Sequence, residues 1–215
     1  MNHYMAELVL TGRRVLVIGG GRVARRKIES LLACGAIITV VAPTLDECVA
    51  GWVATRQVSH WPECFTQEIL AREPRPWLVF ATTSESALNQ SIAQVCGQSG
   101  LLCNSADDPS ISGFLVPAIV RRGGVMVAVG TGGQSPALSR LLKERIDGWL
   151  EPGWGALAAS FGSWRQRVAA RIPDALKRQK FWRESALAAA EEKRLGMEQH
   201  DDWMQQQLQK YEEAG

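Results

Sequence analysis

The chain has 215 residues, of which 46% are hydrophobic and 21% are charged, and its formal net charge is +2. This composition is typical of a globular protein with one or two cores, and the nearly balanced charge gives no reason to expect a nucleic-acid partner. The N-terminal residues do not predict a signal peptide, and no apolar run approaches the ~18 residues that span a bilayer. A cytoplasmic protein without membrane contact is expected.

Cysteine and histidine spacing predicts neither disulfides nor a metal site. The odd number of cysteines and the absence of a Cys-x-x-Cys pair favour buried free thiols in a reducing compartment. His3, His60 and His200 lie far apart and belong to no metal-binding motif. The five cysteines are Cys34, Cys48, Cys64, Cys96 and Cys103.

The first half of the chain alternates between short apolar runs and amphipathic patterns. A helix predicted at 22–35 has Val23, Ile28, Leu31 and Leu32 on one apolar face. This alternation indicates an α/β fold with a doubly wound parallel sheet and right-handed crossovers. Strands are predicted at 13–20, 36–43, 76–83 and 101–108, with a weaker one at 58–65 and a helix at 85–100.

The pattern changes after the fourth clear strand. Residues 112–133 read as two strands joined by a turn at "RRGG", and 134–150 as a helix. Ser135 is placed to cap that helix and Pro136 to occupy its first position. Its expected apolar stripe consists of Leu138, Leu141, Leu142 and Ile146. The remaining chain reads as helical, and the polar stretch 198–215 is expected to fray.

The stretch "VLVIGGGRVARRK" places a glycine turn between the first strand and its helix. Gly19 allows the tight turn, Gly21 lets a pyrophosphate approach the backbone, and Ala24 permits close helix packing. The helix N-terminus then favours the negative charge of the phosphates. A dinucleotide site is favoured over a purely structural glycine turn.

The usual carboxylate for the ribose hydroxyl is absent where the second strand ends in "VVAPT". Asp46 and Glu47 come a few residues late, and Arg22 could meet a 2′-phosphate or simply be a surface side chain. The choice between NAD and NADP therefore stays open, with a preference for NAD. The residues predicted to bind the cofactor are Gly19, Gly21, Arg22, Val23, Ala24, Pro43 and Thr44.

With "CNSADDPSISGFLVPAIV" and "SPALSRLLKERI" added to the glycine turn, the chain resembles the precorrin-2 dehydrogenase family, which includes a module of sirohaem synthases. The resemblance covers residues 1 to about 185. It implies an N-terminal Rossmann domain at 1–113, a small β-α dimerisation domain at 114–148 and a helical domain at 149–215. It also implies a homodimer, and the central strands from Phe114 to Val129 are expected to pair across it.

The resemblance implies NAD-dependent oxidation of precorrin-2 to sirohydrochlorin, with ferrous-iron insertion in some members. Asp107 matches the family's key aspartate, although the neighbouring Asp108 is the alternative. A positioned carboxylate would accept the proton that this oxidation releases. Another function also explains the glycine turn: a dinucleotide-sensing regulatory module whose helical tail binds a partner.

Two further segments are candidates for contact with a tetrapyrrole. Small residues in "GTGGQSP" would let a large flat ligand approach the backbone, although a simple glycine turn is equally compatible with them. The predicted substrate-binding residues there are Thr131, Gly132, Gly133 and Ser135. Basic residues crowd 165–183, either as a solvated helix face or as an attractive surface for an anionic substrate.

Overall fold

A computed structural model describes residues 3–191 and 200–213. The chain divides into two compact units. The first comprises residues up to Val116 with Gly132–Gln134, and the second comprises Pro117–Thr131 and the residues from Ser135 onward. Among the described residues, no helix combines the length and the apolar character needed to cross a membrane.

The first unit contains a parallel five-stranded sheet in the order β3-β2-β1-β4-β5. Its strands are β1 (Arg14–Ile18), β2 (Ile37–Val41), β3 (Val58–Trp61), β4 (Leu78–Ala81) and β5 (Leu102–Ser105). Its helices are α1 (Arg22–Leu32), α2 (Glu47–Ala54) and α3 (Ser86–Gln98), with short 3₁₀ turns at Gln67–Ala71 and Pro109–Ile111. The strand order reverses between β1 and β4, and ligands bind at the carboxyl ends of the strands at such a switch point.

Both faces of this sheet are covered. Along β1, Val17 packs in the cluster that contains Ile28 of α1, while Ile18 packs in the cluster that contains Ile92 of α3. Successive residues of a strand point to opposite faces, so an uninterrupted apolar strand requires cover on both sides. The predicted α/β class and the doubly wound parallel sheet are confirmed.

The buried face of α1 differs by one residue from the predicted face. Ala24, Ile28 and Leu31 are buried, whereas Val23 remains 37% exposed in the first turn. The small side chain of Ala24 lets the helix approach the sheet closely, which sets the start of the buried face there. The assignment of Val23 to the core face is therefore wrong.

The cysteines only partly follow the expected burial. Cys96 and Cys103 are buried beside the sheet, and Cys34 is half-buried. Cys48 and Cys64 are exposed, so the expectation of buried thiols is wrong for them. Cys48 lies beside the one buried residue of α2, Val49, and therefore on another side of that helix.

The second unit begins with the predicted hairpin. Strands β6 (Ala118–Arg122) and β7 (Val125–Val129) pair antiparallel around two glycines. The predicted cap of helix α4 (Pro136–Trp149) is also confirmed, because the Ser135 hydroxyl accepts a hydrogen bond from the Leu138 N–H at 3.2 Å. No residue of α4 is buried, and the three leucines of its stripe are between 37% and 46% exposed.

Helices α5 (Gly153–Arg171), α6 (Ala175–Glu191) and α7 (Asp201–Glu213) complete the second unit. Trp203, Met204 and Leu208 of α7 are buried in one cluster with residues of α5 and α6. The expectation that this polar stretch frays is wrong for 201–213, because its few apolar residues lie on one helix face and are all packed. Residues 198–199 and 214–215 of that stretch lie outside the described residues.

Candidate active site

Two glycines of the turn after β1 are required by neighbouring backbone. Gly19 has φ +111°, and a Cβ there would lie 2.7 Å from the Thr82 carbonyl oxygen at the end of β4. A Cβ on Gly20 would lie 2.2 Å from the Thr44 carbonyl oxygen, and the Gly20 carbonyl accepts a hydrogen bond from the Asp46 N–H. The turn is therefore packed between the ends of β2 and β4, at the switch point of the sheet.

In contrast, no neighbouring atom excludes a side chain at Gly21. Its φ is −88°, and no heavy atom lies within 4 Å of the position that a Cβ would occupy. It is the N-cap residue of α1, and no side chain caps that helix. The first-turn N–H groups of α1 consequently lack a capping partner, and the space beside them is open, which suits an anionic group such as a pyrophosphate.

The other predicted cofactor residues surround this turn. Ala24 is fully buried at the helix–sheet contact, while Arg22 and Val23 are exposed in the first turn of α1. Pro43 and Thr44 are exposed in the loop after β2. The turn, the start of α1 and this loop therefore lie next to one another at the carboxyl ends of β1 and β2.

Asp46 does not serve as the expected ribose carboxylate. Its side chain accepts a hydrogen bond from the Cys48 N–H at 3.0 Å and so caps α2. A second oxygen lies 3.8 Å from Arg25. Asp46 is therefore committed to local structure, while Glu47 is exposed as the first residue of α2.

Asp107 lies just beyond β5 and is exposed. The Ser105 hydroxyl donates a hydrogen bond of 2.6 Å to its Oδ1. This hydrogen bond, with further ones from Asn89 and Ser86 of α3, lowers the pKa of Asp107 against a smaller opposing effect of burial. Asp107 is consequently an exposed carboxylate that stays ionised at neutral pH.

Asp108 is committed to local structure. Its Oδ1 accepts hydrogen bonds from the Ser110 N–H at 2.8 Å and from the Ser110 hydroxyl at 2.6 Å, which caps the following 3₁₀ turn. Asp and Ser commonly serve this purpose at such turns. Of the two neighbouring acids, only Asp107 is exposed and does not cap a helix or turn.

Sequence reasoning missed the polar loop after β4. The buried Thr82 donates a hydrogen bond to the Ile18 carbonyl at 2.9 Å, which joins the ends of β4 and β1. Asn89 of α3 accepts hydrogen bonds from the N–H and hydroxyl of Thr83, and it also contacts Asp107. The sequence feature that indicates this loop is the Thr82-Thr83 pair directly after an entirely apolar strand.

The small-residue loop divides between the two units. Gly132 and Gly133 belong to the first, and a Cβ on Gly133 would lie 2.6 Å from the Pro109 side chain, so this glycine packs against the turn that follows the acidic pair. In the second unit the Thr131 hydroxyl accepts from the Ser135 N–H at 3.1 Å and donates to the Ser135 carbonyl. The hydroxyls of Thr131 and Ser135 are thus engaged in the start of α4.

Comparisons with known proteins match both units. Residues 7–118 fit a family model described as NAD(P)-binding, and residues 153–208 fit the model of the sirohaem synthase dimerisation region. The sirohaem synthase of Tolumonas auensis is 36% identical over 209 residues, which are 96% of this chain and 44% of that protein. Sirohaem synthase 1 of Aeromonas salmonicida is 40% identical over 179 residues, which are 80% of this chain and 36% of that protein. The chain belongs to the precorrin-2 dehydrogenase family.

Within the precorrin-2 dehydrogenase family, a solved structure of SirC, precorrin-2 dehydrogenase, has a TM-score of 0.73 and 26% identity, and it covers 98% of this chain and 100% of that one. The resemblance found in the sequence is therefore confirmed. The chain spans less than half the length of the two sirohaem synthases described above.

Proposed function

We propose that this chain uses NAD to oxidise precorrin-2 to sirohydrochlorin, a step of sirohaem biosynthesis. The observation that carries the proposal is Gly21: the residue is glycine where no protein atom requires it, beside an uncapped helix start. Membership of a family with an NAD(P)-binding model and likeness to a precorrin-2 dehydrogenase support the choice of cofactor and substrate.

In this proposal the glycine turn and the start of α1 hold the pyrophosphate, and the loop after β2 lies along the adenosine. Because Asp46 at the end of that loop caps α2, backbone groups and the Thr44 hydroxyl would meet the ribose. The assigned cofactor residues are Gly19, Gly21, Arg22, Val23, Ala24, Pro43 and Thr44. When bound, NAD supplies the hydride acceptor.

Asp107 is the proposed proton acceptor. Oxidation of precorrin-2 removes two hydrogens, one as hydride and one as a proton, so a base must be present near the macrocycle. Asp107 fits because hydrogen bonds keep it ionised while its side chain stays exposed. Its position beyond β5 also suits it, because the carboxyl ends of the strands are where ligands bind in such sheets.

We further assign the loop of Thr131, Gly132, Gly133 and Ser135 to contact with the tetrapyrrole. The packing of Gly133 on the turn after the acidic pair supports this placement. Since the hydroxyls of Thr131 and Ser135 are engaged within the chain, they would act by shaping the backbone rather than by donating to substrate.

The chain is also proposed to act as a homodimer. The match of residues 153–208 to a dimerisation region supports association, and the exposed leucine stripe of α4 gives an apolar surface for it. Pairing of the central strands from Phe114 to Val129 across the dimer, and the three-domain division with boundaries after 113 and 148, stay predictions. Sedimentation velocity tests the dimer, and a stable monomer would contradict it.

Insertion of ferrous iron into sirohydrochlorin is a reaction distinct from the oxidation and needs its own test. The same carboxylate could accept the N–H protons that the macrocycle loses on chelation. The described part of the chain holds no group of three or more His, Cys, Asp and Glu residues that could bind a metal ion. Sirohydrochlorin incubated with the chain and ferrous iron, without NAD, would show whether sirohaem forms.

The direct test is anaerobic incubation of the purified chain with precorrin-2 and NAD, with absorbance used to detect sirohydrochlorin and NADH. We expect both products in equal amounts, and none without NAD. If NAD binds tightly but no sirohydrochlorin forms, the proposed reaction is wrong and a dinucleotide-sensing module is favoured instead.

A further inference from the structure

A groove of about 580 Å³ lies between α5 and α6, wholly within the second unit. Its polar and aromatic lining consists of Arg165 and Gln166 from α5 and of Arg178, Gln179 and Trp182 from α6, and two alanines complete it. No acidic residue lines the groove. Its volume falls within the range of small-molecule sites, and its donors are guanidinium and amide groups.

The two arginines of the groove carry uncompensated charge. Among the described residues, the side chain of Arg165 has no hydrogen bond or ion pair, and the side chain of Arg178 has no carboxylate partner. Two other basic side chains of these helices are paired with acids: Arg171 with Glu212, and Lys180 with Glu184 at 3.8 Å. Arg167, Lys177 and Arg183 have no acidic partner among the described residues, but they do not line the groove. Two neighbouring guanidinium groups without acids favour an anion with more than one carboxylate.

Arg178 is also held in place. Its Nη1 donates hydrogen bonds to the carbonyl oxygens of Ile172, at 2.9 Å, and Pro173, where the chain passes from α5 to α6. The guanidinium is planar and presents five N–H donors in a fixed fork. Anchoring one nitrogen therefore fixes the direction of the others and lowers the entropy that a ligand contact would lose.

Trp182 gives the groove an aromatic wall. It is half-buried, and its ring lies 5.1 Å from both Phe161 and Phe181. Packing against two rings fixes the indole, and a fixed aromatic surface favours a planar ligand. Charge and shape together point to one ligand class: a flat molecule that bears several carboxylates.

We infer that this groove binds a planar polycarboxylate through Arg165, Arg178 and Trp182, at a site built entirely from residues of the second unit. The choice of a tetrapyrrole as that ligand rests on the proposed function, whose substrate and product belong to this class. The groove would bind such a molecule in addition to the residues assigned above around the glycine turn and the acidic pair.

The test uses uroporphyrin, a stable porphyrin octacarboxylate, and the full-length chain without NAD or precorrin-2. Binding is measured by calorimetry and by quenching of tryptophan emission. We expect Arg165→Glu to weaken binding about tenfold or more, as for other charge-assisted contacts. Trp182→Phe should reduce the quenching amplitude. Arg183→Glu, the same charge change on the exposed surface of α6, should alter the dissociation constant by less than about twofold.

Several results would overturn the inference. Equal weakening by Arg165→Glu and Arg183→Glu, or equally tight competition by an oligonucleotide, would show a general polyanion surface. An altered sedimentation of Arg165→Glu with unchanged porphyrin affinity would show an interface between copies. Failure of precorrin-2 oxidation with intact, Arg165-dependent porphyrin binding would refute only the proposed function, whereas normal turnover with Arg165-independent binding would refute only this site.

Discussion

Helices α1 and α4 differ in how their first N–H groups are capped. Both helices begin with N–H groups that lack an intrahelical partner. At α4 the chain satisfies one of them itself, through the Ser135 hydroxyl and with Pro136 in the first turn. At α1 the capping residue is Gly21, which has no side chain and faces open space.

The same contrast separates the two neighbouring acids. Asp108 is occupied by Ser110, whereas Asp107 is held in position by hydrogen bonds yet stays exposed. Groups that the chain leaves open are candidates for ligand contact, and groups that it closes are structural. Substitution of an open group should therefore impair ligand contact or turnover, whereas substitution of a closed group should chiefly lower stability.

The largest effect is expected for Asp107→Asn, which removes the open acid. Turnover should fall about 10² to 10⁴-fold, the usual contribution of a positioned base, while NAD affinity stays unchanged. Steady-state kinetics with precorrin-2 and calorimetry with NAD measure the two quantities. Asp108→Asn is the matched control and should chiefly lower the melting temperature. A greater loss of turnover in the control would reverse the assignment of the two acids.

The next effect is expected for Gly21→Asp. A carboxylate at the start of α1 would occupy the open space and repel a pyrophosphate, so NAD binding should weaken about 10²-fold or more. The fold should survive, because nothing lies within 4 Å of the new Cβ. Calorimetric titration with NAD gives the affinity, and circular dichroism checks the fold. Unchanged affinity would show that the cofactor does not lie beside this glycine.

A smaller effect is expected for Ser135→Ala, which removes the hydroxyl that caps the start of α4. Loss of an N-cap hydrogen bond should lower the free energy of unfolding by about 1 kcal/mol. NAD affinity should not change, since the capped N–H belongs to α4. Urea unfolding monitored by circular dichroism provides the measurement. A decrease in NAD affinity without loss of stability would contradict the structural role.

The smallest effect concerns the pKa of Asp107. Because its folded pKa is lowered below the ordinary value of 3.8, its carboxylate should impose no acid limb on kcat/KM between about pH 5 and 7. Ser105→Ala removes the largest cause of that shift, so the pKa of Asp107 should rise and the acid limb should move upward. A pH–rate profile of both proteins decides this. An unmoved limb would mean that another group controls it.

Local chemistry made part of this molecule predictable. The glycine turn, the hairpin and the Ser135 cap each depend on a few adjacent residues, and the structure reproduces the hairpin and the cap as expected. The parallel sheet follows from runs of apolar residues that need cover on both faces. Even the weak strand at Val58–Trp61 forms, because it pairs with β2.

Other features depend on contacts between distant parts of the chain. The difference between Asp107 and Asp108 arises partly from Asn89, which no local pattern connects to them. The packing of α7 arises from Trp203, Met204 and Leu208 meeting two other helices, although glutamine dominates the local composition. A tertiary contact can outweigh a polar average, which sequence windows do not reveal.

Gly132–Gln134 belong to the first unit although they follow the hairpin of the second unit in the sequence. This order affects the synthesis of the protein and the design of fragments. The chain leaves that unit after Val116, builds the hairpin, and only then supplies the segment that packs on Pro109. On the ribosome, the nucleotide-binding half therefore cannot be finished before both hairpin strands have been synthesised. A fragment cut at Val116 would lack the contact between Gly133 and the Pro109 side chain, so an excised version of this half should include residues 132–134.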